Sequence, residues 1–245
     1  MMDVWPEKKI PMPLRSVPPI DASEVHLWLV RLQNLPVMEA ALPEDAGDRV
    51  RHLRMGQKFV LRLLLGAYLG IPGRDVVTVA GENGKPVLAP PLARSGLAFN
   101  ISHAFDRLAI AVVKHFPVGV DIEQLERNVR WRKLSTRWFS RGEAEWLAKL
   151  APETARHEFL RLWTVREAMI KAMGATIAGH VSQVTPQPGT PARIRALPEG
   201  WPQADSWTLH ELNRESGLHG WLAVPGPVGA IRTFELVTPK SNDER

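Results

Sequence analysis

The sequence predicts an α+β protein. Short alternating apolar segments are interspersed with two long stretches of helical character, one from about Leu42 to Leu69 and one from Pro152 to Gly174. A break at His115-Phe116-Pro117 separates two parts, each mixing strands with one long helix. At 245 residues and 44% hydrophobic content, the chain is long enough for one large domain or two small ones around a real core. The break divides it into an N-terminal half, residues 1–117, and a C-terminal half, residues 118–245.

The elements follow in order. Residues 1–20 carry Pro6, Pro11, Pro13, Pro18 and Pro19, a density that opposes helix and sheet ladders and favours an extended arm. Val25, Leu27 and Leu29 alternate as a half-buried strand over Glu24–Leu32. Leu42-Pro43-Glu44-Asp45 suits a first helical turn, and the helix that follows ends at Gly70 and Pro72. Val76–Val79 is a short strand, followed by the turn Gly81-Glu82-Asn83-Gly84 and then Lys85-Pro86. Leu97–Ile101 and Leu108–Val113 are strands, with Ser102-His103 at the mouth of the loop between them. Val118–Ile122 is the first strand of the second half, and the run from Pro152 to Gly174 is its main helix, with no glycine or proline inside. Pro186, Pro188, Gly189 and Pro191 mark one loop, and Pro198, Gly200 and Pro202 another. Trp207–Leu212, Trp221–Val224 and Ile231–Val237 complete the strands.

A formal charge of +5 points to an anionic partner without choosing among nucleic acid, membrane, phosphorylated small molecule and acidic protein. The chain has no cysteine, which excludes a disulfide framework, thiolate zinc sites and cysteine nucleophiles, and fits a reducing compartment. The start Met1-Met2-Asp3-Val4-Trp5-Pro6-Glu7 lacks a secretory pattern, so the expected location is the cytoplasm. The most apolar stretch, Phe59–Ile71, is interrupted by Arg62 and is shorter than the roughly 20 residues that span a bilayer, so no transmembrane segment is expected.

Two short stretches carry most of the chemistry. In Gly119-Val120-Asp121-Ile122-Glu123 the two acids are at i and i+2, on one face of a strand. In Trp163-Thr164-Val165-Arg166-Glu167-Ala168-Met169-Ile170-Lys171, Trp163, Glu167 and Lys171 lie at successive i, i+4 steps on one helix face. If strand and helix meet, three carboxylates and an ammonium converge, which reads as a metal-assisted phosphate site. Each piece also has an ordinary reading: a solvated strand edge, an exposed Glu167–Lys171 pair, a core tryptophan. His103, at the polar tip of Phe99-Asn100-Ile101-Ser102-His103, is either a surface histidine or, with its neighbours, a holder of phosphate oxygens. Arg51, Arg54, Lys58 and Arg62 form a basic stripe on the first helix, a solvated face or a phosphate contact. The stripe lacks the interleaved aromatics of a nucleic-acid site, and none is expected.

The ordered set Gly84-Lys85-Pro86, Phe99-Asn100-Ile101-Ser102-His103, Gly119-Val120-Asp121-Ile122-Glu123 and Phe159 through Trp163-Thr164-Val165-Arg166-Glu167-Ala168 to Lys171 resembles the 4′-phosphopantetheinyl transferase family, in its long, Sfp-type, monomeric class. The likeness runs from about Arg49 to Gly174. It implies two pseudo-symmetric α+β halves with the active site in the cleft between them. The implied activity is transfer of 4′-phosphopantetheine from coenzyme A to a serine of an acidic acyl or peptidyl carrier protein, releasing adenosine 3′,5′-bisphosphate. By the same resemblance Asp121, Glu123 and Glu167 are ligands of Mg²⁺, with Mn²⁺ as an alternative. Lys171 contacts the pyrophosphate, Ser102 and His103 hold coenzyme A phosphate, Lys85 and Pro86 lie along the adenine, and Arg54, with Arg51 second, serves the 3′-phosphate. Glu167 is the candidate base, directly or through a metal-bound water, while Lys171 and His103 stabilise the phosphate oxygens. Two departures stand out: where the family's lysines precede the first helix this chain has Met38 and Ala41, and Arg166 replaces a usual Lys, keeping charge but not shape. The rival readings are a Mg²⁺-dependent nucleotide pyrophosphate hydrolase and a non-catalytic coenzyme A or carrier-protein binding module.

Overall fold

Strand alternation on both sides of two sheets dictates the architecture. The computed structural model describes residues 8–12, 14, 16–35, 45–212 and 217–237. Along the chain these form β1 (Lys8–Pro11), β2 (Glu24–Arg31), α1 (Ala46–Leu69), β3 (Thr78–Ala80), β4 (Pro86–Leu88), β5 (Leu97–Ala104) and β6 (Arg107–Lys114). Then come β7 (Gly119–Gln124), α2 (Trp131–Trp138), α3 (Arg141–Ala148), α4 (Pro152–Ala172), α5 (Ile177–His180), β8 (Thr185–Gln187), β9 (Thr190–Ala196), β10 (Thr208–Leu212), β11 (Leu218–Val224) and β12 (Ala230–Val237). The class is α+β, as the sequence predicts.

One sheet has five strands in the order β1-β12-β2-β6-β5, a second has three in the order β10-β11-β7, and β3-β4 and β8-β9 are small hairpins. Trp28 and Val30 of β2 and Leu108, Ile110 and Val112 of β6 pack with Val60, Leu61, Leu64 and Leu65 of α1. The intervening residues, Val25, Leu27, Ala109, Ala111 and Val113, point the other way and meet Val120, Ile122, Leu222 and Val224 of the smaller sheet. On that sheet's outer face Trp221 and Ala223 pack with Val165, Ala168, Met169 and Ala172 of α4. The layers therefore run α1, five-stranded sheet, three-stranded sheet, α4, and both faces of each sheet are covered.

This layering changes what the alternation of β7 means. Val120 and Ile122 face the other sheet, so Gly119, Asp121 and Glu123 face α4 rather than solvent. Gly119 is where strand and helix touch: a Cβ there would lie 1.9 Å from the carbonyl oxygen of Ala168 and 2.4 Å from the nitrogen of Ala172. Only glycine permits that approach.

The helix limits follow local chemistry. The Asp45 side chain caps α1 by accepting from Asp48 N at 2.9 Å, and Gly70 ends it in the left-handed region at φ 68°. The expected start at Leu42-Pro43-Glu44, and Met38 and Ala41, lie outside the described residues. No helix among the described residues is long and apolar enough to cross a membrane.

Several expectations are corrected. The proline-rich arm is not free of sheet ladders: Lys8–Pro11 pairs in parallel with β12 at the sheet edge, where a missing N–H is tolerated. Residues 118–245 do not all lie with the second half, because β12 inserts between β1 and β2 of the first sheet. Ser102 and His103 stand not at a loop mouth but within β5, opposite Ala109 and Leu108 of a tighter hairpin. The loop read at Pro186–Pro191 is the β8-β9 hairpin, turned by Gly189 at φ 77°; a two-stranded ribbon leaves each strand one free side for its prolines. Helices α2 and α3 fill a segment the sequence reading left unassigned, although Ser140 and Glu143 form a capping box at the start of α3.

Glu143 also anchors α3 to α4. Arg166 and Glu143 are both about 1% exposed, and Arg166 Nη2 donates to Glu143 Oε1 at 2.5 Å. Arg166 Nη1 donates to Leu162 O at 2.8 Å, and the guanidinium lies 3.8 Å from the centre of the Phe139 ring. Glu143 Oε2 accepts from both the N–H and the hydroxyl of Ser140. Burial pulls the Arg166 pKa down to about 10, opposed by Glu143. Arg166 thus serves helix packing, on the side of α4 away from Glu167.

Two measurements check this frame. Gly119→Ala should lower stability by at least about 2 kcal/mol in urea unfolding, since backbone cannot yield to the added methyl as a side chain would. Glu143→Gln should cost about 3 kcal/mol or more by leaving the guanidinium buried and unpaired, whereas the double variant Glu143→Leu/Arg166→Met should recover most of that loss. A single variant as stable as the wild type contradicts the account.

Candidate active site

The acids of β7 and the face of α4 meet at the edge where both sheets end. Asp121 is 3% exposed, and its Oδ1 accepts from Lys171 Nζ at 2.6 Å and from the Ser102 hydroxyl at 2.8 Å. Lys171 Nζ also donates to Ser102 Oγ at 3.2 Å and to Val120 O at 3.3 Å. Burial would lower the Lys171 pKa, but Asp121 and Glu167 hold it above its ordinary value. Glu123, half-buried on the same face, accepts from Arg127.

The carboxylates feel one another. Glu167 is pushed up to about 8, first by burial and then by the charge of Asp121; Lys171 and a hydrogen bond from the Trp163 indole oppose the rise. Glu123 is pushed up to about 7, first by burial, with Arg127 opposing and Asp121 reinforcing. Trp163, Glu167 and Lys171 share one helix face, as their spacing predicts.

Around the acids stands a set of cations. His103 is exposed, on the opposite face of β5 from Ser102, and its pKa is lowered by burial of its ring and by Lys171 and Arg54. Arg54 on α1 is thus within electrostatic reach of His103. Arg51 instead makes an exposed pair with Asp48 at 3.1 Å, and Arg62 donates to the carbonyls of Gly73 and Arg74. Lys85 Nζ donates to Lys171 O at 2.8 Å and Val118 O at 3.1 Å, and burial followed by Lys171 brings its pKa down to about 8. Asn83 of the same turn donates to Gly174 O at 2.8 Å. The Gly81–Lys85 turn thereby caps the carbonyl end of α4 from the other half.

Beside Lys85 and Pro86 opens a mostly apolar cavity of 520 Å³, lined also by Val87, Leu97, Phe99, His115 and Val118. It stands next to the carboxylates rather than on them, and Lys85 borders both regions.

Among the described residues no group of three His, Cys, Asp or Glu side chains is gathered as a ready metal cage. Internal cations sit on two of the acids, Lys171 on Asp121 and Arg127 on Glu123. The donor chemistry nonetheless fits a hard divalent cation: Asp121 Oδ2 is buried without a hydrogen-bond partner, and burial with neighbouring negative charge raises Glu123 and Glu167.

Sequence reasoning offered Asn100 as a holder of phosphate oxygens and missed Arg127 and Asn83. Asn100 accepts from Val120 N at 2.9 Å; its place two residues before Ser102 puts both on one strand face, a signal present in the motif. Arg127 sits four residues after Glu123, yet their pairing depends on the chain leaving β7. Asn83 acts across the halves, and nothing local announces it.

A family model described as the 4′-phosphopantetheinyl transferase superfamily matches residues 117–218, which span β7 through α4 to the start of β11. The chain is 31% identical over 218 residues to the 4′-phosphopantetheinyl transferase HetI of Nostoc sp. (strain PCC 7120), covering 84% of this chain and 89% of that protein. It is 36% identical over 98 residues to the 4′-phosphopantetheinyl transferase AcpT of Escherichia coli (strain K12), covering 40% of this chain and 49% of that protein. It is 31% identical over 118 residues to the 4′-phosphopantetheinyl transferase gsp of Aneurinibacillus migulanus, covering 48% of this chain and 46% of that protein. With a likeness to HetI that extends over most of both chains, and with the acids of β7 and α4 inside the matched segment, this chain belongs to the 4′-phosphopantetheinyl transferase superfamily and is an enzyme of that class.

Proposed function

We propose that the protein is an Sfp-type, monomeric member that transfers 4′-phosphopantetheine from coenzyme A to a serine of an acyl or peptidyl carrier protein. The observation that carries this reading is the contact of Lys171 with Asp121, with Glu123, Glu167 and His103 within electrostatic reach of that pair. Acids grouped beside a cation suit a metal-bound polyphosphate better than a neutral substrate. The apolar cavity at Lys85 and Pro86 suits a base, which makes the adjoining cations a path for the phosphates.

Asp121, Glu123 and Glu167 would hold Mg²⁺, or Mn²⁺, whose charge would offset that of a diphosphate. The remaining roles belong to the chain. Lys171 places positive charge where oxygens of the leaving diphosphate gain charge, His103 offers them a ring N–H, and Arg54 lies on the His103 side for the 3′-phosphate. Glu167, kept by burial above the usual carboxylate range, takes the serine proton, and the Trp163 indole orients it. The serine oxygen forms a bond to the β-phosphorus while the bond from that phosphorus to the bridging oxygen breaks, so adenosine 3′,5′-bisphosphate departs. The net charge of +5 favours encounter with an acidic carrier domain.

The decisive experiment is mass spectrometry of several apo carrier proteins after incubation with the enzyme, coenzyme A and Mg²⁺. A mass gain equal to phosphopantetheine is expected, abolished by a chelator and restored by Mg²⁺. Cleavage of coenzyme A without a carrier would point to a hydrolase, and binding without turnover to a non-catalytic module. Glu167→Gln should slow transfer by about 100-fold or more, measured as kcat with carrier saturating; transfer at the wild-type rate removes Glu167 as base.

A further inference from the structure

The two sheets each expose an edge at the site: β5 ends the five-stranded sheet and β7 ends the three-stranded one. An edge strand has N–H groups without ladder partners, and buried they must be satisfied some other way. Here side chains satisfy them. Asn100 Oδ1 accepts from Val120 N at 2.9 Å, and Ser102 Oγ accepts from Ile122 N at 3.2 Å. Donors at i and i+2 of one strand meet acceptors at i and i+2 of the other, so the two sheets are joined by a ladder of side chains to backbone. Asn100 is 4% exposed and Ser102 5%.

The Ser102 hydroxyl has no bonding capacity left. Its one proton goes to Asp121 Oδ1 at 2.8 Å, and its oxygen accepts from Ile122 N and from Lys171 Nζ. A hydroxyl offers one donor and two acceptor sites, and all three are in use. Phosphate oxygens can only accept, so Ser102 could bind one only by releasing Asp121. His103, the next residue, lies on the opposite face of β5, toward Arg54.

We propose that Ser102, with Asn100, is a positioning residue and not a ligand of coenzyme A phosphate. It fixes the register of β7 against β5 and aims Asp121 and Lys171. A slip of one residue would turn Asp121 from the α4 side to the inter-sheet core, so the pin is structural in form and catalytic in effect. This inference rests on the transfer reaction proposed above for its kinetic arm and on the hydrogen bonds between β5 and β7 for its exchange arm.

The test uses the full-length protein and the variants Ser102→Ala and Ser102→Thr. In the wild type, NMR amide exchange at Val120 and Ile122 should be as slow as at residues inside the β7-β11 ladder; rapid exchange at both overturns the proposal without any variant. In Ser102→Ala, exchange at Ile122 should quicken, kcat should fall roughly 10- to 100-fold and more Mg²⁺ should be needed. The KM for coenzyme A and the preference over 3′-dephospho-coenzyme A should stay within about twofold, because no ground-state phosphate contact is lost. Ser102→Thr, which keeps the hydroxyl, should restore both exchange and rate. A phosphate ligand would behave in the opposite way: KM for coenzyme A rises about tenfold or more while Ile122 exchange and kcat are unchanged. That outcome, or a variant indistinguishable from wild type, overturns the proposal. If the wild type transfers nothing to any carrier, the reaction is wrong while the exchange data still judge Ser102.

Discussion

A buried carboxylate sets the terms for the rest of this molecule. Asp121 lies under α4 at 3% exposure, and taking such a charge out of water costs several kcal/mol unless a partner and hydrogen bonds offset it. Lys171 at 2.6 Å and the Ser102 hydroxyl at 2.8 Å do so on one oxygen. The first requires α4 to pass close to β7, and the second requires β5 to lie alongside it. Gly119 gives the strand its close approach to the helix, Lys85 and Asn83 hold the helix end from the other half, and Arg166 with Glu143 ties its far side to α3. Each contact shortens the list of positions α4 can adopt, and what remains puts Lys171 on Asp121.

The electrostatics of the free protein then take a definite form. Three acids stand near one another with Lys171 and Arg127 as their internal counter-ions, and Glu123 and Glu167 still sit above the usual carboxylate range. Burial and one another's charge make Glu123 and Glu167 ionise less readily than free carboxylates. Positive charge brought to Asp121 Oδ2, which has no hydrogen-bond partner among the described residues, would favour their ionised forms.

What could be read in the sequence was whatever depends on period alone. Asp121 and Glu123 share a strand face, and Trp163, Glu167 and Lys171 share a helix face, because those spacings hold in any fold. Gly70 ends α1 as expected because a left-handed cap needs glycine wherever it occurs. Hidden were features set by a distant partner. The β12 insertion beside β2 depends on sheet order, and neither strand encodes its neighbour. That the face of β7 bearing the acids is covered follows only from the second layer, since a half-buried strand and a doubly covered one differ in what packs on them, not in alternation. Met38 and Ala41 fall outside the described residues.

The same periodicities divide labour within each motif. Ser102 and His103 are adjacent in sequence, yet a strand turns them to opposite faces, one into the seam between sheets and the other toward Arg54. Arg166 and Glu167 are adjacent too, yet a helix separates them by about 100°, one toward Glu143 and the core, the other toward Asp121. In both pairs one residue makes buried bonds that locate the element, and its neighbour takes no part in them. A substitution at the buried member should therefore change geometry first and chemistry second. Replacing Arg166 by the more compact lysine would keep the charge but lose the planar fork that bonds Glu143 and Leu162 together. The departure from the family's usual lysine is then a choice about how α3 is fastened to α4, and it leaves the facing side of the helix, with Glu167 and Lys171, unaltered.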